Sequence, residues 1–255
     1  MGNNSNSLND YNVLAGGYQQ TSVKPDKQYS TLPTVLSLVG DLEGKEVLDL
    51  GCGAGFFTTA LAYKGAARVI GIDNSTEQLA LANRTVSKNI EYLQGDIFDM
   101  TLPRADTVVA PYVLNYAETL GQLQNLFEKI FYSLNPGGIL VAVIDLPEDR
   151  SMKRFGAIKV VQGEKRDGAS MDIQLFNDNQ FICTLHAIYF TPETMETLLK
   201  GAGFVEITWH EAILSEEGIT TKGAEFWSGY LESPELGYLV AKKVSGGGHE
   251  EKATS

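Results

Sequence analysis

The chain has 255 residues, 43% of them hydrophobic, which suits one large domain or one domain with a lid. Its 20 Lys and Arg against 32 Asp and Glu give a formal net charge of −12, which argues against nucleic acid as substrate because the phosphate backbone requires a basic surface. No apolar run approaches the roughly 18 residues of a membrane helix, and the two cysteines have neither disulfide-framework nor metal-site spacing. We therefore predict a cytoplasmic protein with no metal and no membrane partner.

The N-terminal part of the chain is predicted to be disordered at first and then helical. Residues 1–9 are rich in Asn and Ser and have no apolar signal segment. Residues 11–19 place Tyr11, Leu14 and Tyr18 on one helical face. A further helix is predicted to begin at Thr31, because Thr can cap a helix and Pro33 follows in its first turn.

A glycine turn then follows the first predicted strand, residues 47–50. Gly51, Gly53 and Gly55 alternate with other residues, and residues 56–63 have a helical pattern. Glycine permits a positive φ and lets a ligand lie directly on the backbone. The dinucleotide fingerprint would need its third glycine at position 56, which is Phe56. Asp49 precedes the turn, where its carboxylate would repel a phosphate and accept an amine or a sulfonium.

Residues 47–55, Val-Leu-Asp-Leu-Gly-Cys-Gly-Ala-Gly, resemble the first motif of the class I S-adenosylmethionine-dependent methyltransferases. Strand and helix patterns alternate beyond them, as in a parallel doubly wound sheet. The expected fold is a Rossmann-like, doubly wound seven-stranded sheet, mostly parallel with one antiparallel strand, plus an inserted β lid. The resemblance implies S-adenosyl-L-methionine as cofactor and S-adenosyl-L-homocysteine as product.

Acids end the next two predicted strands. Asp73 follows residues 68–72 and is placed to accept the hydroxyls of a ribose. Asp96 follows residues 90–93, and the resemblance implies that it accepts from the adenine amino group. The remaining cofactor-binding residues implied by the resemblance, beside Asp49, Gly51 and Gly53, are Tyr18, Asn74, Gln78, Ile97 and Ala110. Aromatic packing for Tyr18 and solvent exposure for Gln78 remain alternatives.

The fourth predicted strand, residues 106–113, ends near the expected reaction centre. Its segment Ala110-Pro111-Tyr112 is similar to the Asn/Asp-Pro-Pro-Tyr motif of enzymes that methylate base amines, but it lacks the amide or acid and the second proline. We therefore do not predict that activity. Asn115 and Tyr116 follow where they could line the reaction centre. A helix over 118–134, a turn over 135–138 and a strand over 139–145 are predicted next.

Residues 146–190 break the alternation and are predicted to form a lid with strands at 157–162, 172–176 and 181–190. His186 on the lid is the best candidate for a general base, with packing or substrate binding as the alternative. Tyr11, Tyr116, His186 and Trp227 are the candidate substrate-binding residues. The basic lid residues favour either an anionic substrate or a solvated surface; they are Arg150, Lys153, Arg154, Lys159, Lys165 and Arg166.

These patterns predict five segments: disordered residues 1–9, cap helices and the cofactor-binding half at 10–145, the lid at 146–190, the rest of the sheet at 191–244, and a disordered tail at 245–255. The expected activity is in-line methyl transfer to N or O of a small molecule, with no catalytic residue assigned and the oligomeric state open. Alternatives are a non-catalytic cofactor-binding module and a protein methyltransferase; an NAD-dependent dehydrogenase is disfavoured by Phe56. Tyr11, Tyr18, Asn115 and Tyr116 also loosely resemble those of toxoflavin-type methyltransferases.

Overall fold

The computed structural model describes residues 9, 24–85, 87–148, 151–177 and 179–244. The predicted helix that carries Tyr11 and Tyr18 lies outside the described residues, as does the tail from 245 to 255. Asn9, predicted to be disordered, is buried. Its side-chain amide donates to the carbonyl of His186 and accepts from the same residue's backbone N–H.

A seven-stranded sheet forms the centre of the molecule. Its order is β3-β2-β1-β4-β5-β10-β9, and all neighbours are parallel except that β10 runs antiparallel to both β5 and β9. This arrangement confirms the predicted fold class. The strands are β1 Glu46–Leu50, β2 Arg68–Asp73, β3 Ile90–Gln94, β4 Ala105–Pro111, β5 Leu134–Asp145, β9 Val205–His210 and β10 Leu236–Lys242.

Helices cover both faces of this sheet. They are α1 Leu32–Leu38, α2 Phe56–Tyr63, α3 Thr76–Ala82, α4 Leu120–Ser133, α5 Pro192–Ala202 and α6 Glu216–Lys222. Because successive strand residues point to opposite faces, β1 contributes Val47 to one apolar cluster and Leu48 to the other. Helix α4, for example, buries its apolar stripe on the sheet with Leu123 and Phe127. The two clusters fix the carboxyl ends of the parallel strands at one edge.

A separate antiparallel sheet lies between β5 and α5 along the chain. It consists of β6 Ala157–Val161, β7 Ala169–Asn177 and β8 Gln180–Tyr189 in that order. Its buried side chains, such as Met171 and Leu185, form their own apolar cluster. The structure thus contains the three strands predicted for the lid.

Three predicted elements have different bounds in the structure. The helix predicted from Thr31 is preceded by a π-helical turn at Lys27–Thr31, and the Thr31 hydroxyl makes no cap hydrogen bond because it contacts the Tyr112 and Tyr238 hydroxyls instead. The pattern after Ser75 predicts a helix through Lys88, but the helix ends at Ala82, where the side chain of Asn83 donates to the carbonyl of Leu79.

The third difference is at β5, which begins at Leu134 rather than at residue 139. Leu134 pairs with Ala105 before the register shifts, so the segment predicted to be a turn is absorbed into the strand as an irregularity. Gly137 allows this with a φ of 78°. No helix in the described ranges is long and apolar enough to cross a membrane.

Candidate functional site

The glycine turn after β1 forms one wall of a cavity. Gly51, Gly53 and Gly55 have φ values of 67°, 53° and 82°, in the left-handed region that favours glycine. A Cβ on Gly51 would lie 2.9 Å from Cγ2 of Val113. The nearest atom to a Cβ on Gly53 would be Oε1 of Gln78, at 3.7 Å, so the backbone there is open to an approaching ligand.

Asp73 joins the glycine turn to the end of β2. One carboxylate oxygen accepts from the backbone N–H of Gly53 at 2.8 Å, and the other accepts from that of Ser75 at 2.9 Å. Burial raises the pKa of Asp73, and these backbone hydrogen bonds oppose that rise. A carboxylate has about four acceptor positions. The bonds from Gly53 and Ser75 therefore leave acceptor capacity for a hydroxyl donor of a ligand.

The cavity in front of the turn encloses about 910 Å³, counting its opening to solvent. It lies at the carboxyl ends of the parallel strands, where ligands bind in open α/β sheets. Of the predicted cofactor-binding residues, Gly51, Gly53, Asp73, Asn74, Gln78, Asp96 and Ile97 line it, together with Tyr116 from the predicted substrate set. Lining residues that were not among the predicted site residues include Asn9, Phe98, Tyr112, Val113, Glu118 and Gln122.

The buried side chain of Gln78 indicates that this cavity suits a polar nucleoside. Its side chain is only 1% exposed, yet neither Oε1 nor Nε2 has a hydrogen-bond partner among the described residues. A buried amide without partners costs about 1–3 kcal/mol. A ligand carrying both donors and acceptors would satisfy it, so the residues present fit S-adenosylmethionine. The predicted alternative of an exposed Gln78 is wrong.

Asp96 begins the loop after β3. Its carboxylate accepts from the backbone N–H of Phe98 at 2.9 Å, and its carbonyl accepts from those of Asp99 and Met100. These bonds turn the chain sharply, so that Asp96, Ile97 and Phe98 all face the cavity.

Asp49 lies beneath the turn and not in the cavity lining. It is fully buried on the sheet face covered by α2, where the Thr58 hydroxyl donates to Oδ2 at 2.6 Å. Its Oδ1 has no hydrogen-bond partner among the described residues. Burial raises the pKa of Asp49 to about 7, although Thr58 and Lys27 both lower it. The strand alternation that directs Leu48 and Leu50 to the other cluster explains this orientation.

The end of β4 contributes different residues from the one predicted. Ala110 is fully buried in the core and does not line the cavity, whereas Pro111, Tyr112 and Val113 do. Tyr112 has a φ of 64°, rare for a bulky residue, and its hydroxyl donates to that of Thr31 at 2.8 Å. The Pro-Tyr pair in the sequence was the signal for this position.

A second cavity adjoins the first and lies against the three-stranded sheet. Tyr112 and Tyr116 line both cavities, and so form their common wall. The second encloses about 480 Å³, counting its opening. Its other lining residues are Lys24, Asp26, Lys27, Asp145, Ala157, Lys159, Ile173, Leu175, Leu185 and Leu236.

Comparisons with known proteins match this architecture. Residues 47–138, which hold the glycine turn and β1 to β4, match the family model described as "Methyltransferase domain". Over these residues the chain is similar to methyltransferase domains. A carboxy-S-adenosyl-L-methionine synthase of Citrobacter koseri is 30% identical over 136 residues. That match covers 47% of this chain and 55% of the relative, so the chain spans about half the length of the curated relatives it matches.

Solved structures show that the fold extends beyond the methyltransferase domain match. An S-adenosylmethionine-dependent methyltransferase from Mesorhizobium loti superposes with a TM-score of 0.60 at 20% identity, over 88% of this chain and 100% of that one. A complex of DhpI with SAH gives a TM-score of 0.61 at 20% identity, over 93% and 95%. At such identities these likenesses establish the shared fold.

Asn115 has a structural role. It is fully buried and lines neither cavity. Its Oδ1 accepts from the backbone N–H of Asp145 at 2.9 Å, and its Nδ2 donates to the carbonyl of Ile188 at 3.0 Å. Asn115 thereby ties the end of β5 to β8, and the expectation that it lines the reaction centre is wrong.

Two predicted substrate residues lie away from both cavities. The His186 ring is on the exposed face of β8, with Nδ1 2.8 Å from Oδ1 of Asp172 and its side chain 60% exposed. Trp227 is buried among Tyr29, Phe155 and Tyr230, and its indole N–H donates to a backbone carbonyl. Neither position supports contact with a substrate in these cavities. Tyr11 and Tyr18 lie outside the described residues.

Proposed function

We propose that this protein transfers the methyl group of S-adenosylmethionine to N or O of a small-molecule acceptor by in-line displacement. In this proposal the nucleoside lies in the first cavity. Asp73 accepts from the ribose hydroxyls, the unpartnered amide of Gln78 pairs with the nucleoside, and Asp96 and Ile97 contact the adenine. Asn74 lies beside them in the lining.

The observation that carries the proposal is the common wall of the two cavities. Tyr112 and Tyr116 line both, so a cofactor in the first cavity and an acceptor in the second would meet at these residues. In the transfer, a lone pair on the acceptor N or O forms the new bond to the methyl carbon. When bound, S-adenosylmethionine would supply an activated methyl group, and the electrons of its broken C–S bond would remain on sulfur as a neutral thioether. The proton of the methylated acceptor would pass to solvent when the product leaves the cavity.

This chemistry depends chiefly on alignment. Well-oriented positioning of the two reactants supplies roughly 7–11 kcal/mol of a barrier. The lid sheet β6-β7-β8 would exclude water from the second cavity. Two side chains hold it in place: Asn115 bonds to Ile188 from the β4 side, and Asn9 bonds twice to the backbone of His186.

The test is incubation of the purified protein with isotopically labelled S-adenosylmethionine and a metabolite extract. We expect label in small products together with S-adenosylhomocysteine. Label appearing only on protein or RNA would refute the small-molecule acceptor. Cofactor binding without any turnover would favour a non-catalytic cofactor-binding module, and label on protein would favour a protein methyltransferase.

A second candidate is carboxylation of the cofactor, in which its methyl carbon loses a proton and gains CO₂ released by a carboxylic-acid co-substrate, to give carboxy-S-adenosylmethionine, as in the name of the matched relative. The lysines that line the second cavity favour it, because they could hold a carboxylate beside the cofactor. Mass spectrometry of the nucleosides decides between the candidates. Methyl transfer leaves S-adenosylhomocysteine, whereas the alternative leaves a heavier, carboxylated sulfonium.

Three finer predictions also stay proposals. The net charge of −12 supports an acceptor other than nucleic acid. A cytoplasmic location is a prediction from the sequence, to be checked by fractionation. The narrower likeness to toxoflavin-type enzymes depends largely on Tyr11 and Tyr18, which lie outside the described residues.

A further inference from the structure

The second cavity concentrates charge that the activity proposed above does not itself require. Its lining includes three lysines and two aspartates, which sum to +1 in a chain with a formal net charge of −12. Lys24, Asp26 and Lys159 are each only 8% exposed, and Asp145 is 3% exposed. Charged side chains are seldom this buried unless they are paired or bind a ligand.

Of the three lysines, Lys159 is paired with both a carboxylate and a carbonyl. The ammonium of Lys159 is 2.8 Å from Oδ1 of Asp145 and donates to the carbonyl of Glu235 at 2.7 Å. Of the basic lid residues that fall in the described ranges, Lys159 is the one that lines this cavity. It closes the end of the cavity beside β5 as a neutral pair with Asp145.

The positive charge is therefore in excess at the other end, at Lys24 and Lys27. Lys24 is 3.6 Å from Oδ2 of Asp26, a loose pairing, while Oδ1 of Asp26 is occupied by the backbone N–H of Lys27. Lys27 forms no ion pair with any described residue, and its ammonium lies 4.8 Å from the centre of the Phe56 ring. Burial, with the nearby Lys24, lowers the pKa of Lys27 to about 8, so it is mostly charged at neutral pH.

The position of Lys24 is fixed by the fold. A Cβ added to Gly156, which has a φ of 113°, would lie 2.7 Å from Cδ of Lys24. The start of the lid therefore leaves room for the lysine stem, and the stem packs along this backbone. The site is built into the fold and is more than an exposed charged surface.

We infer that the second cavity binds the carboxylate of an apolar, monoanionic small-molecule acceptor, with Lys24 and Lys27 as its recognition residues. The excess of one positive charge matches a carboxylate better than a phosphate dianion. The remaining wall is apolar, from Ile173, Leu175 and Leu185 of the lid. An acceptor held by its carboxylate at the lysines would extend along this wall toward Tyr116. This assignment rests on the proposed function, since it names the acceptor class for the same site.

The carboxylate could also belong to the amino-acid end of the cofactor, because Lys27 lines a small third cavity at the glycine turn. Lys24 distinguishes a carboxylate of the acceptor from that of the cofactor, because it lines the second cavity and not the cavities at the turn. The acceptor assignment therefore predicts that Lys24 has little effect on cofactor affinity.

The experiment is calorimetry on the full chain, with benzoate and benzamide as probes of the same shape and different charge. We expect the protein saturated with S-adenosylhomocysteine to bind benzoate at least tenfold more tightly than benzamide. Lys24→Met should remove that preference. Lys165→Met is the matched control, because Lys165 is an exposed lid lysine, and it should keep the preference.

Other results overturn the inference. Equal affinity for the two probes, no benzoate binding, or a preference that survives in Lys24→Met would each do so. If Lys24→Met weakens S-adenosylhomocysteine but not 5′-methylthioadenosine, which lacks the amino-acid end, the lysine serves the cofactor instead. Lys24→Gln, together with the melting temperature of each variant, separates lost binding from misfolding. Failure of S-adenosylhomocysteine itself to bind counts against the proposed function, whereas loss of charge selectivity alone counts against the inference.

Discussion

The backbone N–H of Gly53 donates to a carboxylate oxygen of Asp73 across 2.8 Å, joining the turn after β1 to the end of β2. These two residues are 20 positions apart in the chain and come from neighbouring parallel strands. The bond fixes the glycine turn relative to the acid that follows β2. This interaction therefore helps to set the shape of the cavity at the glycine turn.

Replacing Asp73 by Asn should weaken cofactor binding and leave the fold in place. The amide has only one acceptor oxygen, so its NH₂ group would face the N–H of either Gly53 or Ser75. Losing a hydrogen bond to a charged group costs about 1.5–3 kcal/mol, which corresponds to roughly a 10- to 150-fold loss of S-adenosylhomocysteine affinity by calorimetry. Glu77→Gln, an exposed acid at the start of α3, should bind normally. Equal losses in both variants would contradict a ribose role for Asp73.

Gln78→Leu should change stability and affinity in opposite directions. Without ligand, the variant removes a buried amide that has no described partner, so the free energy of unfolding should rise by about 1 kcal/mol or more. Cofactor affinity should fall at least tenfold, because the ligand loses the same amide. Urea denaturation and calorimetry measure the two effects. A variant that is less stable yet binds normally would show that Gln78 faces protein and not ligand.

Gly53→Ala separates backbone strain from obstruction of the site. Gly53 and Gly40 have similar left-handed φ values of 53° and 66°, and each alanine should destabilise the fold by about 1–2 kcal/mol. At Gly40 nothing lies within 4 Å of an added Cβ. We expect both variants to lose similar stability and only Gly53→Ala to lose S-adenosylhomocysteine affinity. Similar affinity losses in both would mean that strain alone disturbs the turn.

His186→Ala should leave methyl transfer within about twofold of wild type. The ring is 60% exposed on the outer face of the lid and pairs with Asp172, so it is remote from the wall shared by the two cavities. Its link to Asn9 uses the backbone and survives the change. A loss of more than tenfold, with unchanged melting temperature, would restore His186 as a candidate base.

The first cavity, proposed for the cofactor, was predictable because it depends on backbone geometry. Three glycines and the acids Asp73 and Asp96 follow apolar strands, and the carboxyl ends of parallel strands meet at one edge. The location of Asp49 was harder to predict, because its position in the sequence before the turn suggested that it lines the cavity. Strand alternation instead directs it beneath α2.

The second cavity, proposed for the acceptor, depends on contacts between distant segments, which no local pattern reports. Lys24 and Lys159 reach one cavity from the region before α1 and from the lid. Whether an aromatic side chain packs in the core or lines a cavity was ambiguous from the sequence for the same reason. Trp227 packs into an aromatic cluster, while Tyr112 lines the first cavity in a strained conformation, and the Pro-Tyr pair in the sequence indicates its position but not that strain.

The buried carboxyl of Asp49 should make stability fall as the pH rises. Its pKa is about 7 in the folded state against 3.8 for the free group, so the folded protein holds this proton more tightly. The stabilisation is complete below about pH 4 and is lost as the pH rises through 7, with a magnitude on the order of 4 kcal/mol. The lowered pKa of Lys27 affects the pH dependence of stability in a different range, above pH 8.

Asp49→Asn keeps an acceptor for the Thr58 hydroxyl and removes the titration. Urea denaturation from pH 5 to 7.5 should therefore show a shallower loss of stability in Asp49→Asn than in wild type. Asp99→Asn, an exposed acid in the loop after β3, should retain the wild-type slope. If all three proteins lose stability equally, Asp49 is already ionised at pH 5, and its carboxylate is stabilised beneath the turn by neighbouring positive charge.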